Sequence, residues 1–153
     1  MRFLELKIPP PIVALCVALL MWITSQAVGP FDMPYRYRVS AALAFVFLGL
    51  GFDVAGLISF FRAKTTVNPI KPGSTSSLVT TGVYRTTRNP MYLGLLFVLL
   101  GWATFLTNGV AFLLAPVFVL YINRFQIDPE ERVLSEKFGT EFSAYQARVR
   151  RWL

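Results

Sequence analysis

The composition of this 153-residue chain is not that of a soluble domain, because 55% of its residues are hydrophobic and only 15% are charged, against about 25% charged in soluble domains. With no histidine and a single cysteine, Cys16, the chain lacks the residues for histidine-based catalysis, histidine-ligated metal sites or an intrachain disulfide, and we expect no metal. Its apolar residues form long blocks between basic polar stretches, which predicts an all-α, polytopic membrane protein.

Four apolar segments predict the membrane helices, and they cover residues 8–28, 39–61, 91–106 and 110–122. The first two are long enough to cross a hydrocarbon core of about 30 Å. The prolines at the start of the first segment favour an uncleaved helix over a cleaved signal peptide. The last two segments are short and are separated by the turn residues Thr-Asn-Gly. We therefore expect them to form a tight helical hairpin that is extended by its flanking residues.

The distribution of basic residues predicts how the chain is oriented. Of the 15 Lys and Arg residues, 13 lie before the first segment, between the second and third, or after the fourth; the other two are Arg36 and Arg38. The positive-inside rule then places both chain ends and the central loop in the cytoplasm, with the protein in the inner or plasma membrane. The net charge of +7 is then explained by membrane orientation and by contact with the lipid surface. We therefore expect no nucleic-acid partner.

Asp53 is the one acidic residue in the middle of a predicted span, where an unpaired charge is costly. Its small neighbours, among them Gly49 and Gly56, favour a contact between packed helices. The alternative is a titratable group in a small four-helix transporter that works as a dimer. That alternative leaves the polar motifs of the second half of the chain without a purpose.

The stretch before the third span begins with a Pro/Gly/Ser/Thr-rich linker up to Ser77 and continues, over residues 82–94, as Gly-Val-Tyr-Arg-Thr-Thr-Arg-Asn-Pro-Met-Tyr-Leu-Gly. Gly82 permits a tight turn. Asn89 is a good N-cap residue, and Pro90 fits the first turn of the helix that follows. The motif therefore predicts the start of the third span.

Arg85 and Arg88 precede this helix start, whose free amide groups and positive dipole end would face them. Together they form a natural seat for an anion such as a carboxylate. The alternative is that both arginines are ordinary positive-inside flanks and that Tyr84 and Tyr92 are ordinary interface aromatics.

The last 30 residues predict an amphipathic helical tail. Asp128-Pro129-Glu130-Glu131 indicates a helix start with acids in its first turn, and Gly139 divides the tail into two shorter helices. The apolar residues that follow at steps of three and four are Leu134, Phe138, Phe142, Tyr145, Val149 and Trp152. We expect most of this tail to lie on the cytoplasmic leaflet. Glu130 and Glu131 are either structural ion pairs with the arginines of the central loop or ligands for a cationic group.

The two polar motifs, in this order and separated by a hydrophobic hairpin, resemble the isoprenylcysteine carboxyl methyltransferase and phospholipid methyltransferase superfamily of small integral membrane enzymes. The resemblance covers residues 61–153. It implies S-adenosylmethionine as methyl donor, S-adenosylhomocysteine as product, and a lipophilic acceptor that arrives from the bilayer through an opening between helices. The chain then divides into a two-helix membrane segment, residues 1–61, and a methyltransferase core, residues 62–153.

Residue by residue, the resemblance also implies roles within the site. Arg85, Arg88 and Glu131 would shape the pocket or orient the acceptor. The aromatic faces of tyrosines would attract the sulfonium cation, and a carboxylate would attract the amino group of the cofactor. The implied cofactor-binding residues are Ser77, Leu78, Val79, Tyr84, Asn89, Pro90, Met91, Tyr92 and Glu130.

Two positions depart from the prenylcysteine enzymes that the chain resembles. Those enzymes have His at the position of Asn89, and they have an arginine for the substrate carboxylate at the position of Gln126. The acceptor is therefore open among a carboxylate, an amine and a thiol. A catalytically idle membrane scaffold with the same fold is a further alternative, from which cofactor binding that depends on Glu130 would distinguish an enzyme.

Overall fold

The computed structural model describes residues 4–63 and 77–153, and these ranges contain helices, turns and no strand. The predicted linker before Ser77 lies outside the described residues. In chain order the helical elements are α1 (Pro10–Ala27), α2 (Tyr35–Arg62), a 3₁₀ turn (Gly82–Arg85), α3 (Pro90–Leu106), α4 (Gly109–Ile122), a π-helical segment (Asn123–Ile127) and α5 (Asp128–Arg148).

Three helical runs in the described ranges are long and apolar enough to span a membrane, namely α1, α2 and the continuous run Gly109–Arg148. The apolar part of that run is α4, because eight of the 21 residues of α5 are charged. The 17-residue helix α3 is apolar but shorter. The expectation of an all-α, polytopic membrane protein is confirmed, and the four predicted segments correspond to α1 to α4.

The turn between α3 and α4 forms the predicted helical hairpin. Thr107 adopts the left-handed conformation with φ of 49°, which reverses the chain. The side-chain oxygen of Asn108 then caps α4 by accepting from the amides of Val110 and Ala111 at 3.0 and 3.1 Å. The Asn108 amide group donates to the carbonyl of Val28 at 2.6 Å. The hairpin tip therefore also holds the loop between α1 and α2.

Helices α2 and α3 pack closely because glycines lie at their contact. A Cβ atom at Gly94 would overlap the carboxylate of Asp53, and one at Gly49 would lie 2.6 Å from the carbonyl oxygen of Gly94. Asp53 thus lies against the backbone of α3, as expected of a contact between packed helices.

Helix α5 begins at Asp128 with acids in its first turn, as predicted, but the chain shows no break there. The helical run continues from α4 through the π-helical segment into α5. Pro129 has no amide hydrogen to donate to the carbonyl of Phe125 four residues earlier. The amide of Leu6 donates to that carbonyl instead, at 3.0 Å. The free carbonyl of this turn is therefore bound by a residue from the stretch before α1.

The stretch before α1 makes further contacts with the junction between α4 and α5. The side-chain amide of Gln126 donates to the carbonyl of Ile8 at 2.6 Å. Glu5 forms ion pairs with Arg124, at 3.3 Å, and with Arg132. The beginning of α1 and the beginning of α5 therefore lie at the same end of the helix bundle, opposite the hairpin tip.

The apolar face of α5 packs against the protein, and the expected position of the tail on the cytoplasmic leaflet stays a prediction. Phe142 and Tyr145 are only 2% and 3% exposed, and they form a buried cluster with Val79 and Tyr84. Gly139 interrupts α5 with φ of 49° and ψ of −118°, which confirms the predicted division of the tail. Helix α5 thus covers the segment that precedes α3.

Candidate active site

The 3₁₀ turn before α3 positions Tyr84. Gly82 begins this turn with φ of +63°, and a Cβ atom there would lie 2.7 Å from the hydroxyl of Ser59 on α2, so both conformation and space require glycine. The turn rests on the end of α2, where the ring of Phe60 meets that of Tyr84 edge-on with centroids 5.5 Å apart. Tyr84 is consequently buried.

Tyr92 and Glu130 meet across the starts of two helices. Pro90 opens α3 at its first turn, which places Tyr92 half a turn further on. The Tyr92 hydroxyl donates to the Glu130 carboxylate at 2.5 Å, although 38 residues separate them in sequence. Among the described residues, Glu130 forms no ion pair.

The environment of Glu130 favours the neutral form of its carboxyl. Burial raises the pKa of Glu130 to about 8 from its ordinary value of 4.5; the negative charge of Glu131 raises it further, and the hydrogen bond from Tyr92 opposes the rise. Burial also raises the pKa of Tyr84, with added repulsion from Tyr145 and Glu130, and burial raises that of Tyr145. The site is a group of tyrosines around one buried carboxyl. A cation bound there would favour the ionised carboxylate and would meet the faces of the aromatic rings.

Arg88 binds other groups of the protein in the structure and is not available as an anion-binding site. Its guanidinium forms an ion pair with Glu131 at 2.8 Å and donates to the carbonyls of Val149 and Gln146 at 2.6 and 3.2 Å. Of the two roles considered for Glu131, the structure shows the ion pair. Arg85 is exposed and forms no ion pair with any described residue.

Asn89 occupies the N-cap position of α3, as predicted, but its side chain does not cap the helix. Instead, its amide group donates to the carbonyl of Arg151 at 2.9 Å. Thr87 donates to the same carbonyl at 3.1 Å and accepts the Asn89 amide hydrogen at 3.2 Å. The side chain expected to line the cofactor pocket thus holds the end of the chain against α3.

The other predicted pocket residues divide into two groups. Leu78 and Val79 lie in the apolar cluster of Tyr84. Ser77 precedes them and donates to the carbonyl of Ala63 at 3.4 Å. Pro90 and Met91 instead approach Gly56 on α2. The predicted pocket residues that act on the Glu130 carboxyl are Tyr92, through a hydrogen bond, and Tyr84, through its electrostatic interaction.

Gln126 lies at the base of α5 and is 1% exposed. Its amide group binds Ile8, whereas its carbonyl oxygen has no hydrogen-bond partner among the described residues. This position therefore carries no positive charge, and its side chain contacts the stretch before α1.

Sequence reasoning missed the residues that connect distant parts of the site. Tyr145 donates to the carbonyl of Tyr84 at 2.7 Å, and Arg151 binds both Asp128 and Glu131. Tyr145 is one apolar position of a stripe, and Arg151 is one of three arginines within four residues. Nothing in the spacing distinguishes either from its neighbours.

Comparison with known proteins relates the chain to membrane methyltransferases. The model of the family described as "Phospholipid methyltransferase" matches residues 37–141. Protein-S-isoprenylcysteine O-methyltransferase A of Arabidopsis thaliana is 29% identical over 139 residues, which cover 89% of this chain and 69% of the relative. A probable protein-S-isoprenylcysteine O-methyltransferase of Oryza sativa subsp. indica is 28% identical over 141 residues, which cover 90% of this chain and 72% of the relative.

A shorter relative, an uncharacterized protein of Haemophilus influenzae, is 51% identical over 63 residues, which cover 41% of this chain and all of the relative. No solved structure matches the chain. The matched range 37–141 contains Tyr84, Tyr92 and Glu130, so the family match and the buried carboxyl site coincide. The chain belongs to the phospholipid methyltransferase family, and it is an integral membrane methyltransferase.

Proposed function

We propose that this membrane methyltransferase takes its methyl group from S-adenosylmethionine, bound at Glu130, and transfers it to a lipophilic acceptor at the cytoplasmic face of the membrane. The observation that carries the proposal is the buried Glu130 carboxyl, which is bonded to the Tyr92 hydroxyl and has no cation partner among the described residues. Its family supports a lipid or lipophilic substrate.

The residues present fit this cofactor. When bound, S-adenosylmethionine supplies an electrophilic methyl group on a sulfonium. Glu130 would hold the cationic amino group, because a carboxylate pairs strongly with an ammonium away from water. Tyr84 and Tyr92 would present aromatic faces to the sulfonium. Arg88 is neutralised by Glu131, so the amide groups at the start of α3 would bind the cofactor carboxylate instead.

The catalytic contribution of the chain is positioning and exclusion of water. Methyl transfer is an in-line displacement, for which correct placement of donor and acceptor lowers most of the barrier. Helix α5 covers Tyr84 and Val79 with its apolar face, which keeps water from that side of the site. No histidine is required when the acceptor is already nucleophilic.

The basic residues that follow α4 and those of the loop before α3 share one end of the bundle with the site. Leu6 contacts Phe125 there, and Arg88 contacts Arg150, whereas Asn108 and Val28 meet at the other end. Under the positive-inside rule the end with the site faces the cytoplasm, together with both chain ends. This orientation, the division of the chain after residue 61 and the lateral opening for the acceptor remain predictions.

The choice of acceptors to assay follows from the relatives and from Gln126. The named plant relatives are isoprenylcysteine O-methyltransferases, which makes a prenylated cysteine the first acceptor to examine. Gln126 is neutral and bound to Ile8, so it offers no cation for a substrate carboxylate. We therefore propose that a lipophilic amine or thiol should be assayed beside the prenylated cysteine.

The deciding experiment is calorimetric titration of the protein in lipid nanodiscs with S-adenosylmethionine. We expect saturable binding to the wild type that weakens on the order of tenfold or more in Glu130→Gln, which removes the charge of a buried ligand at nearly constant size. Glu136→Gln, on the exposed face of α5, is the matched control and should bind as the wild type does. Folded wild-type protein that binds no cofactor at millimolar concentration would refute the proposal and favour an idle scaffold.

A further inference from the structure

The last five residues, 149–153, form a strap that leaves α5 and runs back across the start of α3. The amide of Arg88 donates to the carbonyl of Arg150 at 3.0 Å. Thr87 and Asn89 both donate to the carbonyl of Arg151, at 3.1 and 2.9 Å. The strap thus satisfies the side chains of the two residues that flank Arg88, and Thr87 is fully buried beneath it.

The side chain of Arg151 binds the other helix start. Its guanidinium forms ion pairs with Glu131 at 2.6 Å and with Asp128 at 3.0 Å, both in the first turn of α5. Arg151 therefore joins two elements through different atoms: its carbonyl holds the loop that leads to Tyr92, and its guanidinium holds the turn that contains Glu130. Arg88 makes the reciprocal connection, from the loop before α3 to Glu131.

The far end of the strap is anchored in the core. The indole of Trp152 donates to the side-chain oxygen of Asn123 at 3.0 Å, and its ring packs on the larger apolar cluster. Asn123 is the first residue of the π-helical segment. The strap is consequently fixed at three places, which are the loop before α3, the first turn of α5 and the end of α4.

We propose that the strap is a positioning element of the methyltransferase site and that Arg151 is the residue through which it holds the Tyr92 and Glu130 helix starts together. The inference rests on the proposed binding of S-adenosylmethionine at Glu130. Arg151 itself is a positioning residue, because it contacts the loop and the first turn of α5 rather than the Tyr92–Glu130 pair. The Glu131 side chain is 15% exposed and pairs with both Arg88 and Arg151, so losing Arg151 leaves this partly buried charge with one cationic partner instead of two.

Loss of the Arg151 guanidinium has an electrostatic consequence that a merely structural role would not have. The groups that act on the Glu130 carboxyl are Tyr92 from α3, Tyr84 from the 3₁₀ turn and its neighbour Glu131. The negative charge of Glu131 raises the pKa of Glu130, and Arg151 offsets part of that charge. Without Arg151, ionisation of Glu130 requires a higher pH, so cofactor binding should reach its plateau at higher pH as well.

The test compares Arg151→Gln with the conservative Arg151→Lys and with Arg148→Gln, which removes the same charge from an exposed position three residues earlier. Each variant is titrated with S-adenosylmethionine from pH 6 to 9 in nanodiscs, and amide hydrogen exchange is measured without cofactor. We expect Arg151→Gln to weaken binding on the order of tenfold, to shift its pH dependence upward and to speed exchange in residues 87–93. Arg151→Lys should recover most of the affinity, and Arg148→Gln should match the wild type.

Unchanged exchange in α1 and α4 would show that Arg151→Gln is folded. Affinity and pH dependence equal to those of Arg148→Gln would overturn the inference, and so would faster exchange in residues 87–93 with unaltered affinity, because the strap would then be structural only. Wild-type protein that binds no cofactor would overturn the proposed function instead, and the exchange data would still report whether Arg151 holds the loop.

Discussion

The hydroxyl of Tyr145 donates a hydrogen bond to the main-chain carbonyl of Tyr84 at 2.7 Å, across 61 residues of sequence. Both residues lie in the same buried cluster, so this bond fixes the 3₁₀ turn beneath α5. It also helps to position the Tyr84 ring relative to Glu130, because it holds the main chain of the residue that carries the ring. The bond connects the packing of the tail with the geometry of the site.

Replacing Tyr145 with phenylalanine should therefore affect stability and cofactor binding together. The buried Tyr84 carbonyl loses its donor, which costs about 1–3 kcal/mol of unfolding free energy, and the Tyr84 ring is held less firmly. Thermal unfolding and S-adenosylmethionine titration in nanodiscs measure both effects. Tyr35→Phe, at a residue that is 70% exposed, is the control. Equal behaviour of the two variants would show that the Tyr145 bond has no energetic role.

The raised pKa of Glu130 predicts that cofactor binding releases a proton. With a pKa of about 8, the free site holds its proton at pH 6.5, whereas a bound ammonium stabilises the ionised carboxylate. The amino group of the cofactor is already protonated at this pH, since its ordinary pKa is about 8. About one proton should therefore be released for each cofactor bound.

Calorimetry at pH 6.5 in phosphate and in imidazole measures this release, because the two buffers take up protons with different enthalpies. Glu130→Gln should abolish the difference between buffers, and any residual binding should be independent of them. The raised pKa also means that Glu130 favours the folded state most below pH 4.5 and loses this contribution as pH rises through 8. A buffer effect as large in Glu130→Gln as in the wild type would assign the proton to another group.

The sequence predicts the parts of the fold that depend on local chemistry. The helix boundaries follow from apolar blocks, from Pro10 and Pro90 at helix starts and from the Thr-Asn-Gly turn, each of which acts within a few residues. The pairing of Glu130 with a tyrosine-rich group also agrees with the resemblance. These features need no knowledge of which distant segments meet.

The features that the sequence does not predict share a physical cause, which is that they depend on contacts between distant segments. An amphipathic stripe shows that α5 buries one face, but lipid and protein are equally apolar partners for it. Pro129 indicates a helix start in isolation, yet here the amide of Leu6 replaces its missing donor and the helix continues. Asn89 has the composition of a cap, but the carbonyl of Arg151 binds its side chain instead.

Close packing of α2 on α3 predicts that Gly94 tolerates no side chain. In Gly94→Ala the new methyl group would overlap the Asp53 carboxylate and approach the carbonyl of Gly49 to 2.7 Å, which forces the helices apart. We expect a loss of about 1–3 kcal/mol. Gly51→Ala is the matched control, because open space surrounds that position and alanine favours the helix. Comparable stability of the two variants would contradict the packing described for Gly94.

The hairpin tip should affect stability without affecting the site, because it lies at the opposite end of the bundle. Asn108→Ala removes the cap of α4 and leaves the Val28 carbonyl without its donor, which together cost about 2–4 kcal/mol. Asn108→Ser keeps a capping oxygen but lacks the amide group, so its loss should be smaller. In protein that remains folded, both variants should bind S-adenosylmethionine as tightly as the wild type does. Weaker binding in folded Asn108→Ser would show that the two ends of the bundle are energetically coupled through the helices that join them.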